Sequence, residues 1–437
     1  MTAGFDRRTL LAGGLAATLP VGRAFGQRRR VSANDRLQVG LIGCKGMGWA
    51  NLNAMLKGAD VVPVALCDVD AGVLTERASE LKEATGRAPQ LYDDYRRMLD
   101  SRDVDAVIIA TPDHWHALQL IDAMSAGKDA YCEKPLGNSI AECRAMVAAQ
   151  KRHGRVVQVG QWQRSNRHWA DAINVVQSGG IGRVRKVKAW AYMGWMKRVA
   201  PLPDQAPPPG VNYDRWLGPA ALRPFNPNRF HFSWRWYWDY AGGLMTDWGV
   251  HLMDIALLGM KAGTPKSVSS LGGAYGYPDS AMETPDTQTA IFDFGDYSVE
   301  WEHAVGISHG PYGGRDHGVA FIGETGTLVV DRGQWQVFPE TQDGKPLTRA
   351  VPLTKSADNG LERHTADFVA CVKDRARTPA CPIDAAANTA IVCQMGNIAW
   401  RTGRELRWNA DTGRFRDDRA ADAFITPRYR APYRLPA

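Results

Sequence analysis

The chain has 437 residues, of which 44% are hydrophobic and 23% charged, and a formal net charge of +7. A single core stops growing near roughly 250–300 residues, so the length implies two domains. Part of the positive charge sits in Arg7, Arg8, Arg23, Arg28, Arg29 and Arg30. Beyond them the signs are mixed, which argues against a nucleic-acid surface, and no run of about 18 unbroken apolar residues is present to cross a bilayer.

Residues 1–26, MTAGFDRRTLLAGGLAATLPVGRAFG, carry paired arginines, a modest apolar run and small residues before Gln27. They read as a twin-arginine export signal cut near Gly26-Gln27, followed by a basic linker over 27–35, so the mature protein is expected outside the cytoplasm. That route carries folded chains, often with a cofactor already bound. The seven cysteines form no CxxC pair and no zinc-ligand spacing, and several lie inside apolar runs, which suits buried reduced thiols better than bridges.

LQVGLIGCKGMGWANLNAML opens with a run fit for a buried parallel strand, turns through glycines and continues with helical periodicity. VVPVALCD and VDAVIIATP are the next strands. A helix from Leu118 to Ala126, the strand DAYCEKP, a helix from Ser139 to His153 and the strand RVVQVGQ complete a doubly wound parallel sheet over 36–160. The texture then changes. A helix from His168 to Ser178 leads into strand-like runs at Val184 to Tyr192, Val268 to Ala274, Gln288 to Phe294, Ser298 to His303, Val319 to Ile322 and Thr327 to Val330. These predict a large, open, mainly antiparallel sheet, and with helices at Leu361 to Arg375 and Ala385 to Thr402 they make residues 161–437 an α+β domain. Between the first two runs lies an insertion rich in proline and tryptophan, Gly194 to Tyr240, of a length that is usually functional. The tail APYRLPA is expected to run as a strap over the surface.

Gly43-Cys44-Lys45-Gly46-Met47-Gly48 joins the first strand to its helix, where a glycine turn lets a pyrophosphate approach backbone N–H groups at a helix N-terminus. Lys45 replaces the middle glycine of the usual pattern and places a charge beside the phosphates. Asp68 ends the second strand about 25 residues later, where a carboxylate accepts from the adenosine ribose hydroxyls and so favours NAD over NADP. Lys134 ends another strand, at the carboxyl edge of the sheet. The segment MTDWGVHLMD sets Asp247 and His251 four residues apart, one face of a helix. Asp254, a turn further on, reads as an anchor of that helix.

The glycine turn, the acidic strand end, Thr111-Pro112-Asp113-His114-Trp115-His116, then Glu133-Lys134-Pro135, then Gly242-Gly243 with Asp247 and His251, resemble in this order the glucose-fructose oxidoreductase / inositol 2-dehydrogenase / MocA family. The resemblance covers essentially the mature chain. It implies an N-terminal Rossmann domain holding NAD or NADP and a C-terminal sheet serving substrate binding and association into dimers or tetramers. It also implies a catalytic Lys134 preceding a cis Pro135, with Glu133 beside it, and a catalytic Asp247-His251 pair. The loop with Thr111, Pro112 and His116 then lies beside the nicotinamide ribose, and no metal is called for although His114 and His116 could bind one. In that reading His251 takes a hydroxyl proton, Lys134 stabilises the developing alkoxide, and Asp247 orients the histidine or binds a neighbouring hydroxyl.

The insertion's aromatic cluster around Trp234 and Arg235 reads as a carbohydrate cleft, its indole faces against sugar C–H groups, or as a packed anchor between domains. Gln161 and Arg164, just past the last strand of the first sheet, are further substrate candidates. The function expected is an exported oxidoreductase acting on a sugar, glycoside or polyol, with its dinucleotide held tightly and recycled because free NAD is scarce outside the cytoplasm. The alternatives are a NAD-dependent glycosidase or lyase working through transient oxidation, and a sugar- or nucleotide-binding protein without turnover.

Overall fold

The computed structural model describes residues 36–58 and 60–436, so the export signal and linker expected over 1–35 lie outside the described residues. β1 (Leu37–Ile42) is almost wholly buried because helices cover both faces of its sheet. It alternates with α1 (Gly46–Met55), β2 (Val61–Cys67), α2 (Ala71–Thr85), β3 (Gln90–Tyr92), α3 (Tyr95–Leu99), β4 (Ala106–Ile109), α4 (Asp113–Ser125), β5 (Asp129–Cys132), α5 (Ile140–His153) and β6 (Val157–Val159). The order is β3-β2-β1-β4-β5-β6 and every pair is parallel. Strand order reverses between β1 and β4, and the carboxyl ends of these two strands open the crevice in which doubly wound folds bind ligands.

Local chemistry sets the helix ends. The Asp70 carboxylate accepts from the N–H groups of Gly72 and Val73, and Ser139 with Glu142 makes the S-x-x-E start of α5. α4 begins five residues earlier than the periodicity suggests. Pro112 supplies its extended entry and its carbonyl accepts from Trp115 N, so the segment expected as a cofactor loop from Asp113 to His116 is a buried first helical turn.

After α6 (Arg167–Gln177) and β7 (Val184–Met193), the insertion folds over the rim of the first domain. Ala71 N donates to Gly210 O (3.0 Å) and Asn212 N to Val69 O (2.8 Å), which pins α7 (Tyr213–Leu217) beside the end of β2. α8 (Gly243–Asp247) and α9 (Gly249–Met260) follow, meeting at Trp248. β8 (Ser267–Gly273), β9 (Thr287–Asp293), β10 (Ser298–Val305), β11 (His317–Gly323), β12 (Gly326–Val330) and β13 (Gln334–Pro339) join β7 and three late strands, Val351–Lys355, Leu406–Asn409 and Arg414–Phe415, in one ten-stranded sheet. The sheet is mixed: β7 and β10 pair in parallel and the other neighbours are antiparallel.

Alternation decides what each face of this sheet meets. Val187, Ala189, Phe292, Val299 and Trp301 are buried under α9 and the helix Ile383–Thr402. On the other face Lys186 and Lys188 pair with Glu300 and Glu302, beside the exposed Ile291 and Leu271. The helix Gly360–Lys373 returns to the first domain, where Phe368 meets Tyr131 edge-on and His364 lies 2.9 Å from Val159 O.

Candidate active site

A cavity of about 430 Å³ runs from the glycine turn to Lys134 and Asp247, walled on its outer side by the insertion. The turn needs its glycines for two reasons. A Cβ on Gly43, whose φ is +86°, would lie 2.7 Å from Ala110 O, and one on Gly48 would lie 2.0 Å from Gly43 O. A Cβ on Gly46 would meet nothing within 4 Å, so this residue faces open space, with Lys45 and Met47 exposed on either side. Free N–H groups at the start of α1 and a lysine beside them are the donor set a pyrophosphate requires.

Asp68 lines the same cavity. Its oxygens accept from Cys44 N (2.8 Å) and Asp70 N (3.1 Å), which ties the end of β2 to the glycine turn and leaves each oxygen further lone-pair capacity. Burial pushes its carboxyl above the ordinary carboxylate range. Asp70 and His231, 3.3 Å apart, line the cavity next to it. Sequence reasoning passed over Asp70, which belongs to no motif.

At the other end the Lys134–Pro135 peptide is cis, as the resemblance implied. Lys134 Nζ donates to Asp247 Oδ1 at 2.6 Å and to the Asp247 carbonyl at 3.2 Å, while Arg235 Nη1 lies 2.8 Å from Asp247 Oδ2. Burial by itself would raise the Asp247 carboxyl, but the adjacent Arg235 and Lys134 more than offset it and hold the group well below its ordinary range. Glu133, buried, accepts from Asn51 Nδ2 at 2.8 Å and so anchors α1 against the lysine's strand.

Asp247 and His251 do not share one continuous helix. His251 N donates to Trp248 O rather than to Asp247 O, because the Asp247 carbonyl takes the lysine ammonium and the helix resets at Trp248. The expectation that Asp247 orients the histidine is corrected accordingly: both its oxygens serve cations, and His251 Nδ1 is buried with no hydrogen-bond partner among the described residues. Burial, followed by the nearby Lys134 and Arg332, pulls the imidazole well below its usual pKa. The shift favours the uncharged ring, which keeps one unprotonated nitrogen.

Three expected ligand contacts are redirected. His116 is fully buried with its ring nitrogens 2.8 Å from Pro135 O and 2.9 Å from Thr111 O, so it pins the loops carrying Thr111 and Lys134 instead of touching a cofactor. Thr111 and Pro112 themselves line the cavity. Arg164 is locked onto Asp254, Nε to Oδ2 and Nη2 to Oδ1 at 2.7 Å each, and Gln161 is buried outside the cavity. Asp254 thus anchors its helix, as its place in the sequence suggested. The insertion divides: Trp236, Tyr237 and Tyr240 are core, whereas Phe232, Trp234 and Arg235 line the cavity. The Arg235 guanidinium is held 4.2 Å from the ring centroid of Phe232 and 5.1 Å from that of Trp234.

A glycine-turn nucleotide crevice, closed by a second domain that brings a carboxylate and an imidazole to a strand-end lysine, defines the two-domain dinucleotide-dependent oxidoreductases. The model of an oxidoreductase family's NAD-binding Rossmann fold matches residues 37–161, and that of the same family's C-terminal alpha/beta domain matches 173–271 and 348–435. The chain belongs to the glucose-fructose oxidoreductase / inositol 2-dehydrogenase / MocA family. It is 32% identical over 164 residues to the inositol 2-dehydrogenase of Salmonella typhimurium, covering 36% of this chain and 46% of that one. It is 34% identical over 161 residues to that of Rubrobacter xylanophilus, with 36% and 44% covered. These matches span less than half the length of the curated relatives. Among solved structures, levoglucosan dehydrogenase in complex with NADH and levoglucosan superposes with a TM-score of 0.65 at 20% identity, covering 85% of this chain and 99% of that one. The aldose-aldose oxidoreductase from Caulobacter crescentus gives 0.64 at 21%, with 85% and 99% covered. At these identities the likeness establishes the fold.

Proposed function

We propose that this chain is an exported oxidoreductase that moves hydride between a hydroxyl-bearing carbon of a sugar, glycoside or polyol and a nicotinamide dinucleotide kept between turnovers. One observation carries the reading: a single cavity joins the glycine turn to the Lys134 ammonium and its partner Asp247, and His251, buried just beyond the lining on the following helix, is near enough to feel the lysine's charge. When bound, the nicotinamide supplies the hydride acceptor. Lys134, fixed by Asp247, is placed to hydrogen-bond the substrate oxygen and stabilise alkoxide charge, and His251 takes the hydroxyl proton. Trp234 offers an indole face to sugar C–H groups. The names of the relatives, inositol and levoglucosan dehydrogenases, agree with a polyol or anhydrosugar substrate class.

Retention of the dinucleotide is supported by the walls over the crevice: His231, Phe232 and Trp216 from the insertion, and Tyr433 from the C-terminal strap, which packs edge-on against Trp115. Export in the folded state suits seven cysteines that are all buried and unpaired, since none depends on an oxidising compartment. The outer sheet face, with Leu271 and Ile291 exposed beside the lysine–glutamate ladder, is the surface expected to pair copies into dimers or tetramers. The deciding experiment is mass spectrometry of ligand released from denatured, freshly purified protein, followed by product analysis on candidate glycosides. A co-purified dinucleotide and a keto sugar or lactone support net oxidoreduction, and a released aglycone without redox change supports the cleavage alternative. Turnover that survives both Lys134→Met and His251→Ala rules out the assigned chemistry.

A further inference from the structure

Arg332 lies in the turn between β12 and β13 and was not singled out by its sequence context. Its guanidinium carbon stands 4.2 Å from the ring centroid of Trp248 and 5.0 Å from that of Trp162. The same two indoles flank the His251 ring, at 6.5 and 6.4 Å between centroids. Trp162 follows the last strand of the first domain, and Trp248 joins the two helices that carry Asp247 and His251. The cation and the proposed base therefore occupy one aromatic box at the domain boundary. Trp162, Trp248 and Arg332 are partly exposed, and His251 beside them is buried.

Among the described residues no carboxylate is in contact with this cation, and Asp247 and Asp316 favour its charged form only from a distance. Among the described residues Arg332 forms no ion pair, and its Nε is buried without a hydrogen-bond partner. Lys134 and Arg235 share the charge of Asp247. Asp316 is turned to the His317 ring, 2.7 Å away, and Asp331 pairs with Arg315. Burial lowers the Arg332 guanidinium to about 10, so it stays protonated at neutral pH. An unpaired, desolvated guanidinium is costly to keep, and its planar fork matches a carboxylate.

We propose that Arg332 receives the carboxylate of an acidic sugar, a uronic or aldonic acid, whose hydroxyl-bearing carbon lies at His251. The proposal rests on the oxidoreductase reading and narrows its substrate class. A single cation neutralises a carboxylate and leaves half the charge of a phosphate dianion uncompensated, so the carboxylate is the favoured anion.

The test is calorimetric titration of the NADH-loaded full-length protein with D-glucuronate, D-glucose and D-glucose 6-phosphate. Glucuronate is expected to bind about tenfold or more tighter than glucose, the advantage of a hydrogen bond to a charged group. Arg332→Gln should bring the ratio of the two affinities close to one, and Arg332→Lys should keep an intermediate ratio. An unchanged NADH affinity in both variants reports that the fold is intact. Equal binding of the two sugars, no binding of glucuronate, tighter binding of the phosphate, or an advantage that survives Arg332→Gln overturns the proposal. Failure of the oxidoreductase reading is seen separately, as no NADH binding or no reduction of NAD by any bound sugar.

Discussion

Replacing Arg164 by methionine separates a substrate contact from a structural one. Arg164 makes two 2.7 Å bonds to Asp254, whose side chain is 1% exposed. Thr389 Oγ1, 3.0 Å from Asp254 Oδ1, is the carboxylate's only other side-chain donor among the described residues. Without the guanidinium a buried carboxylate is left with one hydroxyl, a loss of about 3–5 kcal/mol. At roughly 2–4 °C per kcal/mol for domains of this size, Tm is expected to fall by about 10 °C. The double variant Arg164→Met/Asp254→Leu should recover most of that loss, because an apolar pair of similar volume removes the uncompensated charge. Differential scanning calorimetry reads stability, and initial rates well below Tm read KM. A single variant with unchanged Tm and a raised KM would return Arg164 to the substrate site and refute the structural assignment.

Gly46→Ala should cost about 1 kcal/mol from its positive φ while leaving the fold intact, yet its methyl group projects into the crevice and NADH affinity by fluorescence should fall at least tenfold. Gly48→Ala, driving a Cβ into Gly43 O, should lower stability itself. Lys134 and Arg332 both depress the His251 imidazole, so Arg332→Gln removes a nearby cation and should move the His251 titration to higher pH by NMR; a shift to lower pH contradicts the placement. Burial lifts Glu142 from 4.5 to about 7, with Tyr429 donating to it. The folded state then holds a proton that the unfolded chain releases, so this contribution is complete below about pH 4.5 and is lost as pH rises through about 7. Stability should fall over that window by about 3 kcal/mol, and Glu142→Gln should flatten the decline in urea titrations.

The first domain was legible because each of its signals is local. A buried parallel strand reads as an unbroken apolar run, and a glycine turn and a strand-end aspartate are fixed by backbone geometry within a few residues. β13 and the strand Leu406–Asn409 escaped because each offers only two buried apolar positions, Trp335 and Val337 or Leu406 and Trp408, too few to establish a period of two.

The site failed to read out where partners come from distant parts of the chain. Nothing near Arg164 foretells Asp254, 90 residues on, and nothing near His116 foretells that the Pro135 carbonyl will claim its ring. An arginine beside a cleft motif is equally consistent with waiting for substrate and with being spent on an internal carboxylate. Only the pairing decides, and here it decides in opposite directions: Arg164 is neutralised, whereas Arg332, in an unremarked turn, rests on two indoles and forms no ion pair among the described residues. The proposed preference for an acidic sugar rests on that unpaired charge, a property of the assembled site that no single motif contains.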